Sequence, residues 1–343
     1  HVAERFAAAF ADTVGGWCEA HGLMLTGHMM EEPTLFSQTA ALGEAMRSYR
    51  SFGLPGIDML GDFREYTTAK QAQSASHQFG RPGVLSELYG VTGWGFDFRG
   101  HKLQGDWQAA LGVTVRVPHL TWVSMGGEAK RDYPASIGYQ SPWYREYPYV
   151  EDHFARVNSV LTRGKPAVRV GVIHPIESYW LHFGPVEQTG SLRQQLDERF
   201  QSLTQWLLFG CLDFDFICES LLPQQCGEQP GAPLQVGEMA YDAIVVPGCE
   251  TLRSTTLRRL EAFRSAGGRV IFLGRPGSLV DAVPSEALAA FAARCEVLPF
   301  EKVALLEALD PLRDLEIRME ADGAPAAHLL YQLRREGEDR WLF

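Results

Sequence analysis

Several familiar signatures are missing from this sequence, and each absence removes a class of function. None of its 6 cysteines (Cys18, Cys211, Cys218, Cys226, Cys249 and Cys295) forms a CxxC pair. No cluster of soft ligands of the kind zinc needs is visible, so no metal site is expected. A chain of 343 residues can build its core without disulfide staples, so free thiols in a reducing, cytoplasmic compartment are the expectation. No apolar run approaches the ~20 residues of a membrane helix. No GxGxxG opens a helix, which speaks against dinucleotide binding. Positive charge is scarce, with 31 Lys and Arg against 42 Asp and Glu and a formal net charge of −11. A surface of that sign repels phosphate backbones and anionic headgroups, so neither nucleic acid nor a membrane is an expected partner. Neutral ligands such as sugars remain open.

What is present is an ordinary globular composition, 45% hydrophobic, at a length that suggests two domains. The ends read as cut. His1 leads straight into an amphipathic segment, and Arg340-Trp341-Leu342-Phe343 reads as a strand stopping mid-element. A signal peptide ahead of His1 therefore stays open, and with it secretion. Residues 1–165 alternate helix and strand, which predicts α/β architecture with parallel pairing. Strands are predicted at Leu23–Gly27, Gly56–Leu60, Val84–Leu88 and Thr114–His119. Helices are predicted at 3–20, 35–51, 68–79, 102–111 and 149–162. A second block, 166–300, carries strands Val168–Ile173, Asp215–Cys218, Ala243–Pro247 and Arg269–Leu273. Its helices are predicted at Ser191–Phe209, where Leu192, Leu196, Phe200, Leu203 and Leu207 recur at helical spacing, and at Ser254–Ala266 before Gly267-Gly268. That pattern is Rossmann-like. Segments Leu315–Met319, Leu329–Arg334 and Trp341–Phe343 alternate like antiparallel strands, so 301–343 reads as the start of a β-rich module.

In a parallel barrel, side chains at the C-terminal strand ends face the active site. The polar residues there are His28, Glu31 and Glu32 after the first strand, Asp58 on the second, Glu87 on the third and His119 on the fourth. Carboxylates close three of the four strands. Glycoside hydrolysis needs two carboxyl groups flanking one bond, and Glu87 fits the nucleophile or base. Adjacent residues point different ways, so one of Glu31 and Glu32 faces a pocket, and Glu32 is the candidate second catalytic group. Capping of the following helix explains both acids equally simply. Asp58, His28 and His119 are candidate substrate ligands; a structural ion pair is the competing role for Asp58. Trp94 and Trp122 offer aromatic faces for a pyranose, and Arg131 and Asp132 sit in a polar loop able to close over it. Cys249, at a strand-to-helix turn, lacks the His base a thiol nucleophile needs.

Thr26-Gly27-His28, Pro55-Gly56-Ile57-Asp58, Ser86-Glu87-Leu88-Tyr89-Gly90-Val91-Thr92-Gly93-Trp94 and Lys130-Arg131-Asp132-Tyr133-Pro134 resemble multidomain bacterial glycoside hydrolases near the α-L-rhamnosidases. The layout also resembles β-galactosidases with a glutamine-amidotransferase-like domain behind the barrel. The resemblance covers residues 1–300. It implies a fragment: the C-terminal half of a (β/α)8 TIM barrel, then a Rossmann-like amidotransferase-type domain without its nucleophile. Glu87 would end barrel strand seven, and the acid/base would lie on strand four, ahead of His1. The resemblance further implies a glycoside or oligosaccharide substrate, a homo-oligomer, and, in the rhamnosidase type, inverting chemistry with a calcium ion. No other cofactor is expected. The alternative function is a noncatalytic carbohydrate-binding or scaffold protein on the same fold.

Overall fold

The computed structural model describes residues 1–128 and 137–343. Two parallel sheets organise the chain. The first has four strands in sequential order: β1 Thr26–His28, β2 Leu54–Asp58, β3 Val84–Leu88 and β4 Val113–Pro118. The second has five: β5 Val170–Ile173, β6 Phe214–Ile217, β7 Ala243–Pro247, β8 Arg269–Leu273 and β9 Glu296–Leu298. They lie in the order β9-β8-β7-β5-β6, all parallel. No helix among the described residues is long and apolar enough to cross a membrane.

The second sheet is covered on both faces. Val170, Val172, Phe214, Phe216, Val245, Ile271 and Leu273 point into one core, while Ile173, Ile217, Ile244, Val246, Val270 and Phe272 point into another. That is the period-2 alternation of a strand whose two faces are both buried. The first of these cores continues into the four-stranded sheet through Ile57, Val84 and Val113, so the two sheets share one hydrophobic interior.

Helix Tyr66–Gln78 lies in that shared interior and is buried from Thr67 to Gln78. Several of its polar side chains find partners in or just ahead of the second sheet. Lys70 Nζ meets Asp213 at 2.8 Å, His77 Nδ1 meets Asp215 at 2.9 Å, and Gln78 Nε2 donates to the Phe216 carbonyl at 2.8 Å. A second polar seam joins the same parts. Arg47, 1% exposed, donates to Glu44 at 2.6 Å and to Glu177 at 2.8 Å, and Glu177 also accepts from Arg253 at 2.8 Å. Asp197 of helix Val186–Phe209 accepts from the Leu35 amide at 2.6 Å, joining the Thr34 capping box at the start of helix Leu35–Ala41.

Several elements differ from the sequence reading. The helix predicted over 35–51 is two, Leu35–Ala41 and Ala45–Tyr49. The break is at Gly43, at φ 88°, where an added Cβ would fall 2.4 Å from Ala3 Cβ. The first helix contains a π segment at Ala8–Asp12. Leu315–Met319 is not a strand; only Arg318 bridges, to Pro325. The C-terminal hairpin pairs Leu333–Glu336 with Asp339–Leu342, and its first strand pairs back onto Lys165–Pro166. A further hairpin, Leu234–Val236 with Met239–Tyr241, and strand β9 were not anticipated.

Candidate active site

The C-terminal ends of β1 to β4 bring four of the predicted residues together. Asp58 and Glu87 are direct neighbours in the β2–β3 register. His28 Nε2 lies 3.9 Å from Asp58 Oδ2 and 3.7 Å from Glu87 Oε2. On the other side, His119 Nε2 lies 3.7 Å from Glu87 Oε1. Glu87 is thus bracketed by two imidazoles, with its side chain 31% exposed and open to a ligand. His28 Nδ1 is 2.7 Å from the Met29 carbonyl. A carbonyl only accepts, so Nδ1 carries the proton and Nε2 is the edge turned to the carboxylates.

Local backbone holds this geometry. A Cβ on Gly56 would fall 2.2 Å from the Gly27 carbonyl, so β1 and β2 can approach only because residue 56 is glycine. Beyond Glu87, Tyr89 and Val91 sit at φ 73° and 61°, and Glu31 after β1 at 62°. Left-handed backbone at a β-branched valine is a costly conformation, and such strain concentrates at functional sites. The turn is clamped by the Tyr89 amide donating to Gln104 Oε1 at 3.0 Å and by Thr92 Oγ1 donating to the Tyr89 carbonyl at 2.5 Å. It carries Trp94, whose ring centroid lies 6.4 Å from that of Trp122. The two indoles form an aromatic pair on adjoining strand-end loops.

Asp58 is pushed above the ordinary carboxylate range, first by burial and then by the negative charge of Glu87, against the pull of both histidines. Glu32 stands apart. It is 5% exposed, its Oε1 accepts from the Tyr49 hydroxyl at 3.2 Å, and burial pushes its pKa up. Its backbone carbonyl takes the amide groups of Gln38 and Gln71. One acid escaped the sequence reading. Glu65, just ahead of helix Tyr66–Gln78, is raised by burial and by the nearby charges of Asp58 and Glu31, and it accepts from Thr68 Oγ1 at 2.9 Å. Its place at a helix start reads as simple capping, so only the folded chain reveals that it faces Asp58. Arg131 and Asp132 lie outside the described residues.

His28, Asp58 and Glu87 each offer one ligand atom, all within 4.8 Å of one another, a spacing able to hold a metal ion. The mixed nitrogen and oxygen set suits a transition metal better than calcium, which takes oxygen ligands. In the second sheet, Cys249 is 2% exposed, and burial together with the Glu219 charge pushes its thiol well above its ordinary value. A buried, protonated thiol is a poor nucleophile.

No protein-family model and no curated protein sequence matches the chain. Its fold is nonetheless that of solved glycoside hydrolases. A rhamnosidase from Novosphingobium sp. PP1Y matches 97% of this chain at 18% identity and a TM-score of 0.66, over 32% of its own length. An apo exo-carrageenase (GH42) from Bacteroides ovatus matches 98% at 12% identity and TM-score 0.54, over 48% of its length. A β-galactosidase from Rahnella sp. R3 matches 81% at 15% identity and TM-score 0.50, over 42% of its length. The chain therefore spans 32% to 48% of the length of these proteins, and at such identities the likeness is one of fold.

Proposed function

We propose that this chain carries part of the active site of a glycoside hydrolase, with Glu87 as nucleophile or base. The observation that carries the reading is the convergence of Glu87, Asp58, His28 and His119 at the ends of four parallel strands. As a nucleophile, the Glu87 carboxylate would attack the anomeric carbon while the glycosidic C–O bond breaks and an acid protonates the leaving oxygen. As a base, it would instead take a proton from the attacking water. Asp58 does not suit the acid. It is the direct register neighbour of Glu87 on the adjoining strand, with one oxygen within 4.8 Å of a Glu87 oxygen, a side-by-side placement rather than one that flanks a glycosidic bond. We read Asp58 as a positioning and hydroxyl-binding group. The acid is then Glu32, whose burial favours the protonated form, or a residue outside this chain.

In this reading the four-stranded sheet is the C-terminal half of a (β/α)8 barrel, and the five-stranded sheet is the amidotransferase-like domain with no working cysteine. Trp94 and Trp122 would stack on the sugar, with His28, His119, Arg131 and Asp132 fixing its hydroxyls. The rhamnoside or galactoside type, self-association and a cytoplasmic site belong to the same proposal; a bound calcium is not carried into it, because the described cluster sets a histidine nitrogen beside its two carboxylates. The test is hydrolysis of aryl rhamnoside, galactoside, glucoside and arabinoside by the intact protein. Cleavage of one member supports the reading. A folded protein that binds sugar yet cleaves none would instead favour a noncatalytic carbohydrate-binding protein.

A further inference from the structure

At the end of the four-stranded sheet opposite to Glu87, a cavity of about 480 Å³ lies between the start of β3, the end of helix Pro148–Leu161, the 234–241 hairpin and the C-terminal hairpin. Its walls contain groups whose hydrogen-bonding capacity is unspent. Gln332 is 2% exposed, yet neither Nε2 nor Oε1 of its amide has a partner among the described residues. Gln73 is 1% exposed; its Oε1 accepts from Lys70, and its Nε2 has no partner among the described residues. Arg81 gives Nη2 to the Arg50 carbonyl at 3.4 Å and, among the described residues, leaves a buried Nε unpartnered. A buried polar group without a partner costs about 1–3 kcal/mol, so several around one void call for a ligand or ordered water that takes up their bonds.

The charge in the cavity points to what that ligand is. Lys165 is matched by Glu238 at 3.0 Å, and His77 by Asp215 at 2.9 Å. Arg81 and Arg334 have no ion pair among the described residues. Arg334 gives Nε to the Arg163 carbonyl and Nη2 to the Gly164 carbonyl, which leaves its charge uncompensated. Burial without a counter-charge also holds its guanidinium below the ordinary value. Two unmatched guanidiniums in one void are out of character for a chain of net charge −11.

We propose that this cavity binds a small oxyanion, free or carried on a sugar-sized molecule, held by Arg81 and Arg334 with the Gln73 and Gln332 amides on its remaining oxygens. Guanidinium forks match phosphate and carboxylate oxygens, and burial strengthens each charge-assisted bond. The volume exceeds that of a single ion and admits a monosaccharide bearing one. The site lies at the far end of the strands from Glu87 and does not depend on the glycosidase reading.

The experiment is calorimetric titration of the intact protein, in buffer free of phosphate and carboxylate, with inorganic phosphate, glucose 6-phosphate, glucuronate and uncharged glucose. Saturable binding of at least one anion, with none of glucose, is expected. Tighter binding of glucose 6-phosphate or glucuronate than of phosphate would identify a sugar-borne anion. Arg81→Gln is expected to weaken binding about tenfold, the loss of one charge-assisted bond. Thr162→Glu, on the exposed rim of the cavity, adds an opposing charge without touching the core and is expected to weaken it similarly. No anion binding up to about 10 mM, or binding unchanged in both folded variants, would overturn the proposal.

Discussion

Glu219 offers a quantitative check on how the second sheet is packed. It follows β6, is 3% exposed, and accepts from the Arg253 amide at 2.8 Å. Burial and the charge of Glu177 push it up to about 8 from an ordinary 4.5, against the pull of the Arg253 amide, Thr256 and the Arg253 charge. The sign follows directly. A carboxyl raised on folding contributes stability that is fully present below its unfolded value and lost as pH climbs to its folded value. Linkage over that window makes ionisation cost about 1 kcal/mol at pH 5 and about 4 kcal/mol at pH 8. Glu219→Gln cannot ionise but keeps an oxygen to accept from Arg253. Its melting temperature is therefore expected to rise relative to the parent as pH increases, by roughly 5 °C or more between pH 5 and pH 8. Scanning calorimetry of both proteins at the two values measures it. Because other groups titrate alike in both, an equal gap at pH 5 and pH 8 would refute the buried placement of Glu219.

Two further outcomes test neighbouring parts of the account. Arg47→Met leaves Glu44, 2% exposed, without its cation. A loss of about 3–5 kcal/mol in urea unfolding is expected, and a loss below about 1 kcal/mol would show that the seam between the sheets is dispensable. Iodoacetamide on the native protein is expected to leave Cys249 unmodified by peptide mass spectrometry while the half-exposed Cys18 reacts. Rapid labelling of Cys249 would reopen thiol chemistry there.

Much of this architecture was legible in the sequence where local and tertiary signals agree. β7 and β8 are read to the residue, because Ala-Ile-Val-Val-Pro and Arg-Val-Ile-Phe-Leu are apolar runs bounded by turn residues. The meeting of His28, Asp58, Glu87 and His119 followed from one rule about the strand ends of parallel sheets. What stayed hidden depends on partners far along the chain. Lys70, Gln71, Gln73, Ser74, His77 and Gln78 give helix Tyr66–Gln78 the look of a solvated element, yet packing buries them, and Lys70, Ser74, His77 and Gln78 bond in or just ahead of the second sheet. The helix break at Gly43 answers to Ala3 packed against it. Glu65 is an ordinary capping residue until the fold sets it beside Asp58. The buried bond of Glu32 to Tyr49, 17 residues away in sequence, is likewise invisible locally.

The most direct test of the central claim is the hydrolysis rate of the best aryl glycoside by Glu87→Gln in the intact protein, with sugar binding measured alongside. The account predicts a loss of turnover of about a thousandfold or more, the scale seen when a residue of the covalent or acid–base machinery is removed, with binding retained. Unchanged turnover in the folded variant would contradict it and remove Glu87 from the chemistry.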